Sequence, residues 1–167
     1  MKLNCILLGD CKVGKTHFLS HFRSNKNSKY IPTIGIDYHK YKDLHIWDTS
    51  GAPRYNSILR TFIKTSDVCI ICYNDAKSFE SVDVYKNMIL RYGKDTSEII
   101  IVSFSKEIEI EVEGVIYSSV KKCPFVSCNV NNEDECKAIL EKLIKENKPC
   151  NSTKQYENIR QCWWNLW

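Results

Sequence analysis

Apolar residues along this chain fall into short continuous runs, separated by stretches in which they recur every three or four positions. Residues 2–8 form the first run and predict a buried strand ending at Gly9. From Lys15 to about Ser24 the spacing predicts a helix with Phe18, Leu19 and Phe22 on one side. Residues 25–35 are turn-rich and read as a long loop. Residues 36–48 read as two short strands with a turn near Lys42 and Asp43. A loop at 49–57 and a short helix at 58–64 follow. The continuous apolar run at 67–74 predicts a central strand, after which Phe79, Val82, Tyr85 and Ile89 return to helical spacing.

Residues 98–104 predict another buried strand. The next stretch is ambiguous. Ile108, Ile110 and Val112 alternate with acids, which is a strand period, and leaves a helix only near Tyr117–Lys122. A last short strand is expected at 124–128. Residues 132–147 give the clearest helix. Asn132 is a candidate cap with Glu135 as its capping-box partner, and Cys136, Ile139, Leu140, Leu143 and Ile144 form an apolar stripe. Pro149 ends that helix. Strands alternating with helices imply an α/β domain with a mostly parallel sheet of six strands, whose ligand would sit at the carboxyl ends of the strands.

Composition narrows this picture. The 167 residues suit one domain, with 43% hydrophobic residues for its core and 26% charged residues. The net charge of +4 is modest and no basic stripe is interleaved with aromatics, so nucleic acid is not an expected partner. Nine cysteines, an odd number, lie largely inside apolar runs. With no signal peptide or membrane span evident, they point to a reducing, cytoplasmic setting in which cysteine acts as a small hydrophobe. Cys69 and Cys72 match a redox spacing, but residues three apart on a strand face opposite sides. Cys123 and Cys128 lack a second pair with metal-ligand spacing.

The chemistry concentrates in Gly9–Thr16, "GDCKVGKT", between the first strand and the first helix. Gly9 and Gly14 let the backbone curl so that the amides of Asp10, Cys11, Lys12, Val13, Gly14, Lys15, Thr16 and His17 face a phosphate chain. Lys15 would supply a point charge to the terminal phosphates, and the Thr16 hydroxyl would bind Mg²⁺.

Two further stretches specify the type of phosphate-loop protein. "YIPTIGIDY", Tyr30 to Tyr38, and "IWDTSG", Ile46 to Gly51, stand in order after "GDCKVGKT", and "SFESV", Ser78 to Val82, fits the next helix. Together these motifs resemble the Ras superfamily of small GTPases, most closely the Rab branch, from Met1 to about Asn147. The resemblance implies a three-layer P-loop domain, the small G domain, over residues 1–148 with a tail at 149–167. It implies GTP or GDP with Mg²⁺ as cofactors, and a conformational switch of the kind used in vesicle trafficking. It implies catalytic roles for Lys15, Thr33 and Gly51, and Mg²⁺ ligands in Thr16, Thr33 and Asp48. Two loops would touch a γ-phosphate that leaves on hydrolysis, so its loss would release both. Protein partners would bind through these switch loops.

The pattern is incomplete in three places. Where the family has a water-orienting glutamine after the Gly51 position, this chain has Ala52 and Pro53, so slow intrinsic hydrolysis is expected. Cys11 takes the place of a small residue in the phosphate loop. The guanine-reading motif is eroded. Ser105 and Lys106 match its first half, Ile108 then falls at the aspartate, and a one-residue shift lets Glu107 or Glu109 serve. Both acids also fit a solvated strand edge. The later base-contacting loop reads Ser127, Cys128 and Asn129, and the base-covering aromatic is missing from residues 24–29. The segment from Gly35 to Trp47 is several residues shorter than in most Rab proteins.

The tail lacks the expected prenylation pattern, because Cys162 is not fourth from the last residue. Tyr156, Ile159, Trp163, Leu166 and Trp167 fit one helical face, with Lys154 and Arg160 nearby. Such a stripe would dock on the domain, on a partner, or weakly on a membrane surface. Three readings follow from the sequence. The first is a Rab-like GTPase switch. The second is a pseudo-GTPase binding module with weak, permanent or no nucleotide. The third is a P-loop NTPase with relaxed base choice.

Overall fold

The protein was analysed as a computed structural model that describes residues 2–22 and 32–147. Six strands form one sheet in the order β2-β3-β1-β4-β5-β6. They are β1 (Leu3–Leu8), β2 (Ile36–Tyr41), β3 (Leu44–Thr49), β4 (Val68–Tyr73), β5 (Glu98–Ser103) and β6 (Phe125–Ser127). The β2–β3 hairpin is antiparallel and every other pairing is parallel. The hairpin turns at Lys42 and Asp43, with Lys42 in the left-handed region at φ 52°. The expected mostly parallel α/β sheet is therefore present.

Strand alternation divides the core into two layers. On one face Leu3, Cys5, Leu7, Ile70, Cys72 and Val102 pack against α1 (Lys15–Ser20) and α6 (Glu133–Glu146). On the other face Ile6, Leu8, Cys69, Ile71, Tyr73 and Ile101 meet α2 (Asn56–Thr65), α4 (Val82–Tyr92) and α5 (Ile108–Lys121). Cys69 and Cys72 thus point to opposite faces, and burial pushes both thiols up to about 12. Cys123 and Cys128 likewise belong to different layers.

Local signals explain most boundaries. The short helix α3 (Ala76–Glu80) starts at Asp75, whose carboxylate accepts from the Ser78 amide while the Ser78 hydroxyl accepts from the Asp75 amide. Asn132 caps α6 as expected, its side-chain oxygen accepting from the Asp134 and Glu135 amides. Glu135 departs from the usual reciprocal bond. Its carboxylate takes the Asn129 amide at 2.8 Å and the Asn132 side-chain amide at 2.7 Å. It thereby ties the loop after β6 to the helix.

One expectation fails. The stretch expected to carry a strand period is helical from Ile108 to Lys121, and Glu107 and Glu109 lie at the helix start rather than on a strand edge. Ile110, Gly114 and Ser118 form the buried face. Their spacing is four residues, and the alternating isoleucines and acids of the first turn obscured it. Gly114 lets α5 approach the sheet. A Cβ there would lie 2.2 Å from the Tyr73 hydroxyl and 2.5 Å from the Phe125 ring. Gly114→Ala should therefore destabilise the protein by about 1–3 kcal/mol, despite alanine's better helix propensity. Thermal denaturation checks the sign, since an unchanged or raised midpoint would mean that α5 is not held this close.

Candidate functional site

β1 lies between β3 and β4, in parallel with both, so the three strand ends open at one place. There β1 turns through Gly9 (φ 138°) into a loop in which Lys12 (φ 67°) and Gly14 (φ 112°) are also left-handed. A side chain on Gly9 would collide with the Cys72 carbonyl at 2.2 Å, so only glycine fits this turn. Gly14 caps α1, and its carbonyl accepts from the Phe18 amide at 2.8 Å.

Lys15 is almost fully buried at the mouth of this loop. Its ammonium donates to the carbonyls of Gly9 and Asp10, both at 2.7 Å. Burial lowers its pKa from the ordinary lysine value, and the nearby Asp48 opposes that shift. One residue on, the Thr16 hydroxyl donates to Asp48 Oδ2 at 2.6 Å and lies 2.8 Å from the Thr33 hydroxyl. Thr33 also donates to Asp48 Oδ2, at 3.1 Å. Thr33 reaches this point because the Ser50 amide donates to the Gly35 carbonyl at 3.0 Å, tying its segment to the end of β3.

Asp48 is fully buried, and its Oδ1 has no hydrogen-bond partner. Burial raises its pKa, while the two threonine hydroxyls pull the other way. An unpaired buried carboxylate oxygen beside two hydroxyls is an all-oxygen donor set with a deficit of positive charge. That chemistry fits a hard cation such as Mg²⁺, which takes few protein ligands and retains waters. Among the described residues no cluster of three His, Cys, Asp or Glu side chains competes with it.

Gly51 closes onto the loop after β1. It is left-handed at φ 71°, and a Cβ there would lie 2.4 Å from the Gly9 carbonyl oxygen. The next amide, of Ala52, donates to Ser50 Oγ at 3.2 Å, and a 3-10 turn begins at Pro53. The exposed Cys11 thiol donates to the Ser50 carbonyl at 3.3 Å.

Other expected site residues are arranged differently. The Asp10 carboxylate accepts from Ser81 at 2.7 Å and Tyr85 at 3.1 Å. It therefore anchors the loop to the start of α4, a role that sequence reasoning missed because Tyr85 was legible only as a helix-face aromatic. Val13 is a core residue, and exposed His17 stacks on His21 with centroids 5.6 Å apart.

The base side is largely spoken for by the protein itself. Phe104 packs against Phe18 at 5.7 Å and against Gly14. The Ser105 hydroxyl accepts from the Glu107 amide at 3.1 Å. Ser127 donates to the Glu111 carboxylate. Cys128 is buried with its sulfur 3.7 Å from that of Cys136. Asn129 is exposed and its side-chain oxygen accepts from the Asn131 amide at 3.1 Å. Lys106 is exposed. The base-covering region at 24–29 and the tail at 149–167 lie outside the described residues.

A parallel sheet with a glycine-turned, lysine-bearing loop between β1 and α1, facing a Thr–Thr–Asp cluster, defines a P-loop nucleotide-binding domain. The family model for "Ras family" matches residues 4–148, and the chain belongs to that family. Its relatives are Rab-type. Ras-related protein Rab-7a of Dictyostelium discoideum is 31% identical over 127 residues, covering 68% of this chain and 63% of that protein. The Ypt/Rab-type GTPase avaA of Emericella nidulans is 30% identical over 142 residues, covering 77% and 69%. Ras-related protein SEC4 of Saccharomyces cerevisiae is 26% identical over 162 residues, covering 86% and 75%. The matched region spans 63% and 49% of the first two relatives. No helix among the described residues is long and apolar enough to cross a membrane.

The orphaned oxygen generates a prediction with opposite signs in two conditions. Asp48→Asn removes a buried charge, so the protein without divalent cation should melt at the same temperature or higher. The same change should abolish the rise in melting temperature caused by Mg²⁺. Calorimetry with Mg²⁺ and with a chelator measures both, and a persisting Mg²⁺ response in the variant would remove Asp48 from the metal site.

Proposed function

We propose that this chain is a Rab-like small GTPase switch, with residues 1–148 as the unit that binds guanine nucleotide and 149–167 as an appended segment. The observation that carries this reading is the meeting of Thr16, Thr33 and Asp48, from three separate segments, within 3.1 Å of one another. Such a meeting makes the Thr33 segment responsive to whatever occupies the loop. The buried Lys15 ammonium would hold the terminal phosphates, and the Gly51 amide would donate to the same group. Gly14 and the start of α1 orient the chain of phosphates. Mg²⁺, when bound, would be held by Thr16, Thr33 and Asp48 and would neutralise phosphate charge.

Occupancy by GTP would fix the Thr33 and Gly51 segments, and loss of the γ-phosphate would free both. Effector, exchange and activating proteins would read that difference on the switch surface. The Rab-type relatives make a role in vesicle traffic the natural setting, with weak membrane contact through the tail as one form of attachment.

Hydrolysis should be slow. Ala52 offers only a methyl group where the family uses glutamine, and its amide is engaged by Ser50. A second reading, a binding module with weak or unselective nucleotide binding, draws on the base side. There Ser105, Ser127 and Cys128 are engaged by Glu107, Glu111 and Cys136 of the chain itself. A carboxylate paired with a base contributes on the order of 1.5–3 kcal/mol, so its absence would flatten base choice.

Ala52→Gln should raise the single-turnover rate of GTP hydrolysis, by about 10-fold or more if water positioning limits the reaction. An ordinary family rate in the unaltered protein, unchanged by the substitution, would contradict this account of the loop.

A further inference from the structure

The ground between the phosphate loop and the loop after β6 is apolar. A Cβ on Gly14 would lie 3.3 Å from the Phe104 ring and 3.7 Å from Val130 Cγ2. Val130 is half-buried and packs on the core layer that holds Phe18 and Phe104. Ser105, Ser127 and Cys128 are engaged within the chain. A base lying here meets walls that suit its flat faces better than its polar edge.

Two imidazoles stand beside these walls. His17 follows Thr16 in α1, and His21 caps the end of the same helix. Phe18 and Leu19 turn into the core, while His17 is exposed. The two rings lie 5.6 Å apart with their planes 26° from parallel, an offset stack. His21 is itself held. Its Nε2 is 2.7 Å from the Val130 carbonyl oxygen, and since a carbonyl only accepts, that nitrogen carries the proton. The pair therefore bridges α1 to the loop after β6. His21 braces one face of His17, and no other ring among the described residues lies against it.

We propose that His17, braced by His21, is the platform on which the nucleotide base stacks. The proposal rests on the nucleotide reading above. With the terminal phosphates at Lys15, the phosphate chain runs past Thr16 and the start of α1, and the nucleoside emerges beside His17. The residue supplies a flat ring where residues 24–29 carry no aromatic. Stacking uses the π-face that every base offers and ignores the pattern of donors and acceptors on its edge. The ligand class is thus a purine nucleoside triphosphate, with guanine and adenine weakly separated.

Titration calorimetry of the full chain with Mg²⁺ can compare GTP, ATP and inorganic tripolyphosphate. His17→Ala should weaken GTP and ATP alike, by about 10-fold, and leave tripolyphosphate unchanged. His17→Phe, which keeps a flat ring, should retain most of the affinity. In the unaltered protein GTP should also shift the His17 ring protons in the NMR spectrum, a readout that needs no variant. Unmoved ring protons would overturn the proposal, as would undiminished GTP binding by His17→Ala or an equal loss of tripolyphosphate. An unaltered protein that binds tripolyphosphate as tightly as GTP would remove the stacking platform and leave the phosphate site standing. One that binds neither would remove the nucleotide reading itself, and this proposal with it.

Discussion

The structure depends on one close approach of backbone. At the end of β1 the chain turns against β4 so tightly that Gly9 touches the Cys72 carbonyl, and Gly51 folds onto Gly9 and Asp10 from the other side. Parallel pairing of β1 with β3 and β4 makes this meeting unavoidable, because all three strands end at the same edge. Only residues without a side chain fit where backbones pass this closely. Everything chemically distinctive then hangs from these ends: Lys15 and Thr16 after β1, and Asp48 and Gly51 at β3.

This packing places opposite charges under strain of the same kind. Lys15 and Asp48 are both buried, and burial shifts each toward its neutral form, the lysine downward and the carboxylate upward. Carbonyls partly compensate the lysine and hydroxyls partly compensate the aspartate, yet Asp48 Oδ1 remains unpaired. A polyanion carrying a hard cation would supply what each lacks. On the proposed reading, such a site answers to the charge of its ligand more than to the ligand's shape, and Ser105, Ser127 and Cys128 are meanwhile engaged by Glu107, Glu111 and Cys136 of the chain itself.

Much of this was legible in the sequence because it rests on periodicity and on glycine. The strands, the β2–β3 turn at Lys42, the Asn132 cap and the opposite facing of Cys69 and Cys72 all follow from local rules. The meeting of Thr16, Thr33 and Asp48 was legible through the order of three motifs. Helix α5 was not, because Ile108, Ile110 and Val112 carry both a strand and a helix period, and packing of Gly114 against Tyr73 and Phe125 decides between them. Nor could sequence show that Asp10 turns toward Ser81 and Tyr85, since that contact joins residues more than 70 positions apart. The inward turn of Cys128 toward Cys136 is likewise a product of tertiary packing.

The most direct measurement is the identity of any nucleotide that leaves the purified protein on denaturation in the presence of a chelator. A site centred on phosphate and Mg²⁺ predicts a bound nucleoside di- or triphosphate released together with Mg²⁺ in equal amount, GDP or GTP if base choice survives and other bases beside them if it is relaxed. Release of nothing, together with no thermal response to Mg²⁺ and GTP, would contradict the account and leave the chain a scaffold with the family's fold.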